Sequence, residues 1–215
     1  MLRGSRPASN LATVPTVKPG QFLIHIRHGQ TDWNAEARLQ GETDIPINDL
    51  GREQARRNGA HLAECLRTLG REPDSFGWVA SPLSRARETM EIVRTEMGLP
   101  RADYRIEPSL KEISFGSWKG HTIPELKVID PDAVAERRRD KWGFLPPGGE
   151  SYAQLKVRIA AWLDTVGDDL IVVSHGGVYR VLHHILAGTP EPDAPGLPTP
   201  QDRIAVFRDN GVDLL

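Results

Sequence analysis

Phe22–Thr31 reads FLIHIRHGQT. Phe22, Leu23, Ile24 and Ile26 form an apolar run that predicts a buried strand, and the run stops at Arg27, His28 and Gly29. A cation and an imidazole therefore sit at the strand's carboxyl end, where open α/β sheets bind ligands. Arg27 offers a fork of donors suited to phosphate. Gly29 permits a sharp turn and is expected to bring backbone N–H groups towards whatever His28 faces. The stretch reads as a phosphate site containing a nucleophile.

A second apolar run, Leu170–Val173, ends the same way, in Ser174-His175-Gly176-Gly177, and a helix is predicted over 178–186. If both strands are central in one parallel sheet, His28 and His175 face each other across its switch point. Between them, apolar spacing predicts an amphipathic helix over 51–69 closed by Gly70, then a strand over 76–80. Ser81 reads as an N-cap with Pro82 at the first helical position of a helix reaching about Met97. A weak strand over 103–107, a helix over 131–140 and a helix over 151–166 follow. Ile204–Phe207 and Val212–Leu215, joined through Asp209-Asn210-Gly211, predict a closing hairpin. Residues 30–50 read as a long polar connection.

These elements predict an α/β, three-layer sandwich: a mostly parallel central sheet, helices on both faces, an antiparallel edge strand and a small insert, about 119–150, over the site. One domain is expected over 21–215, after a flexible tail over 1–20. The tail carries Arg3, Arg6 and Lys18 without an acid and faintly resembles an organellar transit peptide, although a flexible, Pro-punctuated tail ahead of the first strand is the simpler reading.

The 215 residues suffice for one substantial core. A net charge of -2 gives no global pull towards nucleic acid or an anionic membrane, so anion recognition has to be local, and a small partner is expected. The single cysteine, Cys65, excludes an intramolecular disulfide, and no apolar run approaches a membrane span; a cytoplasmic protein is expected. Oligomeric state is not announced by any segment.

Ser81–Thr89, SPLSRARET, delivers Arg85 and Arg87 onto the start of a helix, the end that favours an anion. Two positions apart they point to different faces, and Arg85, nearer the strand end, is the candidate for the site. With RHGQTDWN, QGETDIPINDLGREQA, LKEISFGSWKG, PGGES and VVSHGG, six motifs stand in one order across 21–207. Together they resemble the histidine phosphatase superfamily, also called phosphoglycerate-mutase-like.

The resemblance implies His28 as the phosphate-accepting nucleophile, with Arg27, Arg85 and His175 binding the phosphoryl group and Glu112 donating a proton. It places Asn34, Gln40, Gly41 and Gly176 along the substrate pocket and leaves Arg87 structural. Two guanidinium groups beside it should keep His28 neutral, whereas His175 can hold a proton once phosphate is bound. Glu112 has to carry a proton to hand it to the leaving alkoxide. The activity implied is a metal-independent phosphatase without a cofactor, acting on a small phosphorylated metabolite through a phosphohistidine. A cofactor-dependent phosphoglycerate mutase is the alternative, but the segment after Trp118 lacks a mutase-like continuation. A catalytically silent phosphate-binding protein of the same fold is the third reading.

Several features invite a plainer reading. His25 and His28, three apart on a strand, point to opposite faces and are not expected to share a metal. His183 and His184 read as structural. Arg137-Arg138-Arg139 with Lys141 reads as a solvated helix face, with a second acidic group of the substrate as the other use. Trp142 and Phe144 fit either the core of the insert or a wall of the pocket.

Overall fold

In the computed structural model residues 20–215 are described, so the expected tail lies outside them but for Gly20. Six strands form one sheet: β1 (Leu23–Arg27), β2 (Gly77–Ala80), β3 (Arg105–Ile106), β4 (Leu170–Ser174), β5 (Ile204–Arg208) and β6 (Gly211–Leu214). Their order is β3-β2-β4-β1-β5-β6. β4 is parallel to both β1 and β2, and β2 is parallel to β3. β5 runs antiparallel to β1 and β6 antiparallel to β5, so the expected antiparallel edge is the hairpin of two strands.

His25 apart, the central strands are apolar up to their carboxyl ends because both faces are covered. Ile24, Ile26, Ile171 and Val173 pack beneath α2 (Asp49–Leu69) and α3 (Ser84–Glu96), through Leu62, Leu66, Met90 and Val93. Leu23, Leu170 and Val172 face the other way, onto α6 (Tyr152–Leu163) and α7 (Gly176–Ala187), through Leu155, Ile159, Val178 and Leu182. The result is the expected three layers. The register pairs Arg27 with Ser174, so β1 and β4 end level and release His28 and His175 side by side.

Local chemistry sets the boundaries. α2 starts where the Asn48 side chain accepts from the Gly51 N–H, and stops at Gly70 in the left-handed region, φ 64°. α3 departs from expectation: it starts at Ser84 with Leu83 at its N-cap and no side-chain cap, and the Ser81 hydroxyl lies against His175 Nε2 instead. The polar connection holds a short helix, α1 (Asp32–Ala35), opened by a Thr31–Asn34 capping box.

The insert contains α4 (Ile123–Ile129), not anticipated, and α5 (Pro131–Arg139), as expected. Trp118, Leu126 and Phe144 form its small core, against which Leu39 packs. Trp142 belongs instead to the main core and stacks on Tyr152 at 5.9 Å. Both aromatics are packing residues. The basic run divides: Arg138 and Arg139 are exposed, while Arg137 and Lys141 are half-buried. Among the described residues no helix is long and apolar enough to cross a membrane.

Candidate active site

His28 leaves β1 with its backbone N–H donating to the Ser174 carbonyl at 2.9 Å, which ties it to the end of β4. Its Nδ1 lies 2.8 Å from the Gly29 carbonyl. A carbonyl can only accept, so Nδ1 carries the hydrogen and Nε2 is left with a lone pair. The ring is 2% exposed. Burial first, then Arg85 and Arg27, hold its pKa well below the usual value, so the imidazole is neutral at neutral pH.

His175 is the N-cap residue of α7. Its ring centroid lies 5.1 Å from that of His28. Nε2 is 2.7 Å from the Ser81 hydroxyl, and buried Nδ1 has no protein partner. Burial, then Arg85, His28 and Arg27, push its pKa well down as well.

Arg85, 0% exposed, is among the largest fully buried side chains, yet among the described residues no carboxylate forms an ion pair with it, although Glu112 and Asp44 act on it electrostatically. It donates to the carbonyls of Thr43 and Gly41, both at 2.7 Å, and its Nε has no partner. A buried charge without a counter-ion is costly, and two carbonyls orient it without neutralising it. Arg27 donates to the Thr199 carbonyl and, at 3.1 Å, to its hydroxyl, and again Nε is buried and unpartnered. Burial lowers the Arg27 pKa to about 10, opposed by Glu112 and reinforced by Arg180 and Arg85, so it stays charged at neutral pH. Arg27 Nε, Arg85 Nε and His175 Nδ1 are thus buried nitrogens lacking an acceptor, on two arginines that act electrostatically on His28 and a histidine whose ring lies beside it.

Glu112 enters from the loop before the insert. Oε1 accepts from the Gly177 N–H at 3.0 Å and the Ile113 N–H at 2.9 Å. A Cβ on Gly177 would lie 2.4 Å from that oxygen, so only glycine lets the carboxylate approach. Gly176 is similarly close: its Cβ would meet the Thr199 hydroxyl at 3.2 Å and Arg27 Nε at 3.6 Å.

Of the remaining candidates, Gly41 supplies an Arg85 carbonyl and takes φ 55°. Gln40 is buried with Oε1 unpartnered. The Asn34 amide oxygen accepts from Thr31 and from Gln201 Nε2. Arg87 is set apart from the site, beside Tyr104. Gly29 differs from expectation: its N–H donates to the Thr89 hydroxyl at 3.0 Å and is not offered to the pocket.

Sequence reasoning missed Ser81, read as a helix cap, and the loop residues Thr199 and Gln201. Gln201 Nε2 donates to the His28 carbonyl at 3.0 Å. Only tertiary docking reveals that loop; for Ser81 the signal was its position at the end of a strand beside β4. Among the described residues no group of three or more His, Cys, Asp or Glu comes together to hold a metal. His25 Nε2 pairs with the Ser174 hydroxyl at 2.7 Å, and His183 packs on Tyr179 and Phe207.

Comparison with known proteins gives a consistent picture. Residues 23–210 match the family described as the histidine phosphatase superfamily (branch 1). Phosphoglycerate mutase-like protein 4 of Arabidopsis thaliana is 34% identical over 167 residues, 75% of this chain and 69% of its own length. Glucosyl-3-phosphoglycerate phosphatase of Mycolicibacterium vanbaalenii is 33% identical over 189 residues, 81% and 78% of the two chains. The crystal structure of a putative alpha-ribazole-5'-P phosphatase from Escherichia coli superposes with a TM-score of 0.72 at 25% identity, covering 91% of this chain and 94% of that one.

Proposed function

The chain belongs to the histidine phosphatase superfamily, and on that premise we propose that it is a metal-independent phosphatase that hydrolyses a small phosphomonoester through a phosphohistidine on His28. The observation that carries this reading is the set of buried, unpartnered nitrogens, Arg27 Nε, Arg85 Nε and His175 Nδ1, gathered about a neutral imidazole. Phosphoryl oxygens are the acceptors such a set fits, and fixed cations stabilise the charge of an in-line transfer without a metal.

In the first transfer His28 Nε2 forms a bond to phosphorus as the ester oxygen leaves, and Glu112 gives that oxygen its proton. In the second, water attacks the phosphohistidine, surrenders a proton to Glu112, and His28 is released with its lone pair restored. The Gly29 carbonyl holds the ring in the required tautomer throughout.

The mutase reading differs only in whether a second hydroxyl, not water, meets the phosphohistidine; the mutase-like relative keeps it in view. One experiment separates the outcomes. A panel of phosphomonoesters is assayed for free phosphate in excess chelator, with 3-phosphoglycerate plus 2,3-bisphosphoglycerate as one member, and acid-labile label on the protein is trapped by rapid quench. Phosphate release with chelator present, and label lost in His28→Ala, supports the proposal. Appearance of 2-phosphoglycerate without phosphate makes the chain a mutase, and tight phosphate binding with neither product nor label makes it a silent binder.

A further inference from the structure

We infer that Gln201 is a positioning residue for the phosphoryl pocket: it holds the Asn34 carboxamide in the orientation that leaves Nδ2 free to donate to a phosphoryl oxygen. The inference rests on the phosphomonoester reading above and adds a residue to the machinery of that site.

Gln201 ends a strap whose backbone is set in advance. In Leu197-Pro198-Thr199-Pro200-Gln201 each proline imposes an extended conformation on the residue before it, and Leu197 accordingly takes φ -58°, ψ 136°. The alternate carbonyls accept from three different elements. Arg180 on α7 donates to Leu197 at 2.9 Å, Arg27 at the end of β1 donates to Thr199, and Asn58 on α2 donates to Gln201 at 2.9 Å. Asn58 is fully buried, so the end of the strap is pinned to the core.

From that fixed point the Gln201 side chain reaches two acceptors. Its Nε2 donates to the His28 carbonyl at 3.0 Å and to Asn34 Oδ1 at 3.1 Å. A backbone carbonyl only accepts, so the Gln201 atom facing it is the nitrogen. The Asn34 atom is identified in the same way: it accepts from the Thr31 N–H and the Thr31 hydroxyl, both at 3.2 Å, so it is the oxygen. Asn34 Nδ2, at the other end of the amide, makes no hydrogen bond among the described residues and keeps both hydrogens to give.

The Thr31 contacts come from within one turn. They belong to the capping box of α1, four residues long and too short to stabilise itself. Among the described residues Gln201 supplies the contact to the Asn34 side chain from outside that turn, and the same nitrogen grips the backbone of His28. It therefore sets the donor amide relative to the nucleophile, two groups that have to meet one phosphoryl group. Rotation of the amide would instead present Oδ1, the negative end of its dipole, to the anion.

A double-mutant cycle separates positioning from packing. kcat/KM for phosphomonoester hydrolysis is measured in the full chain as wild type, Gln201→Ala, Asn34→Ala and the double variant. Gln201→Ala should lose about tenfold, the worth of one hydrogen bond, but less than about twofold when added to Asn34→Ala. No loss in Gln201→Ala, or losses that simply multiply, overturns the inference. Gln201→Met keeps the length of the side chain without its donors and should lose as much as Gln201→Ala; wild-type activity in Gln201→Met would assign the residue to packing and overturn the inference too. Calorimetric affinity for inorganic phosphate in the same four proteins gives the cycle without turnover. Coupled losses there with no hydrolysis by any protein sink the hydrolase reading and uphold the role of Gln201, uncoupled losses sink that role alone, and a wild type that binds no phosphate sinks both.

Discussion

The imidazoles of His28 and His175 lie 5.1 Å apart, centroid to centroid, with their planes tilted by 58°. Parallel pairing of β1 with β4 brings them together, and what touches each ring divides their work. The Gly29 carbonyl fixes a hydrogen on His28 Nδ1 and frees Nε2 as a nucleophile. Ser81 does the opposite for its partner. Its oxygen accepts from the Leu83 N–H at 3.4 Å and lies 2.7 Å from His175 Nε2; with its own hydrogen given to Nε2, the His175 hydrogen sits on the buried, unpartnered Nδ1.

Ser81→Ala therefore removes the group that selects the donor tautomer of His175. We expect kcat/KM for any phosphomonoester to fall on the order of tenfold to hundredfold, the worth of one hydrogen bond to a charged group. Ser81→Thr, which keeps the hydroxyl, should recover part of the loss. Equal activity in wild type and Ser81→Ala would show that the hydroxyl sets nothing.

Glu112→Gln retains an oxygen for the Gly177 and Ile113 N–H groups but has no proton to give. With alkyl phosphates kcat/KM should drop roughly 10²- to 10⁴-fold, the usual worth of a general acid. With p-nitrophenyl phosphate, whose leaving phenolate needs no proton, the first transfer should be nearly unaffected in a burst experiment. The same loss with both leaving groups would remove Glu112 from that role.

Much of this site was legible because the two histidine-bearing strands are buried on both faces and therefore read as apolar runs, interrupted only by His25, that end in chemistry. Arg85 was legible from its place at a strand-to-helix junction. Ser81 was misread because a serine before a proline is also a good helix cap, and only the neighbouring strand decides between the uses. Thr199 and Gln201 were hidden because they lie in a proline-rich loop without periodicity, and their contacts with Arg27 and His28 span more than 170 positions. The insert helix α4 has a readable signal, the Thr122–Glu125 capping box with Pro124 behind it, which an insert read with one helix over 131–140 leaves out. In the basic run, composition could not separate Arg137 and Lys141, turned inward, from Arg138 and Arg139.

Gly29 matters through packing. A Cβ there would lie 2.2 Å from the Gly51 carbonyl oxygen and 2.7 Å from its carbon, both backbone atoms in the first turn of α2. No rotamer relieves that contact. Gly29→Ala should cost about 3 kcal/mol, the upper range for overpacking, and lower the Tm by roughly 6–12 °C for a chain of this size. Differential scanning calorimetry checks it, and a change below about 1 °C would mean that α2 can shift without penalty.

His25 predicts the acid limb of stability. It is buried on β1 against Ser174 and Tyr179, and burial first, then His183 and Arg27, lower its pKa to about 3. In the unfolded chain it titrates near the ordinary histidine value of about 6.5. Between those values the unfolded chain binds a proton that the folded chain does not, so stability is fully present above about 6.5 and is lost as pH falls, by about 1.4 kcal/mol per unit. His28, His175 and His183 are shifted in the same direction, so the combined slope should exceed that of one proton. Urea unfolding measured from pH 6 to 5, above the range of most carboxylates, should show stability falling steeply with acid, and in His25→Gln the slope should be shallower by about one proton's worth. An identical slope in the variant would mean that His25 is free to take up its proton in the folded protein.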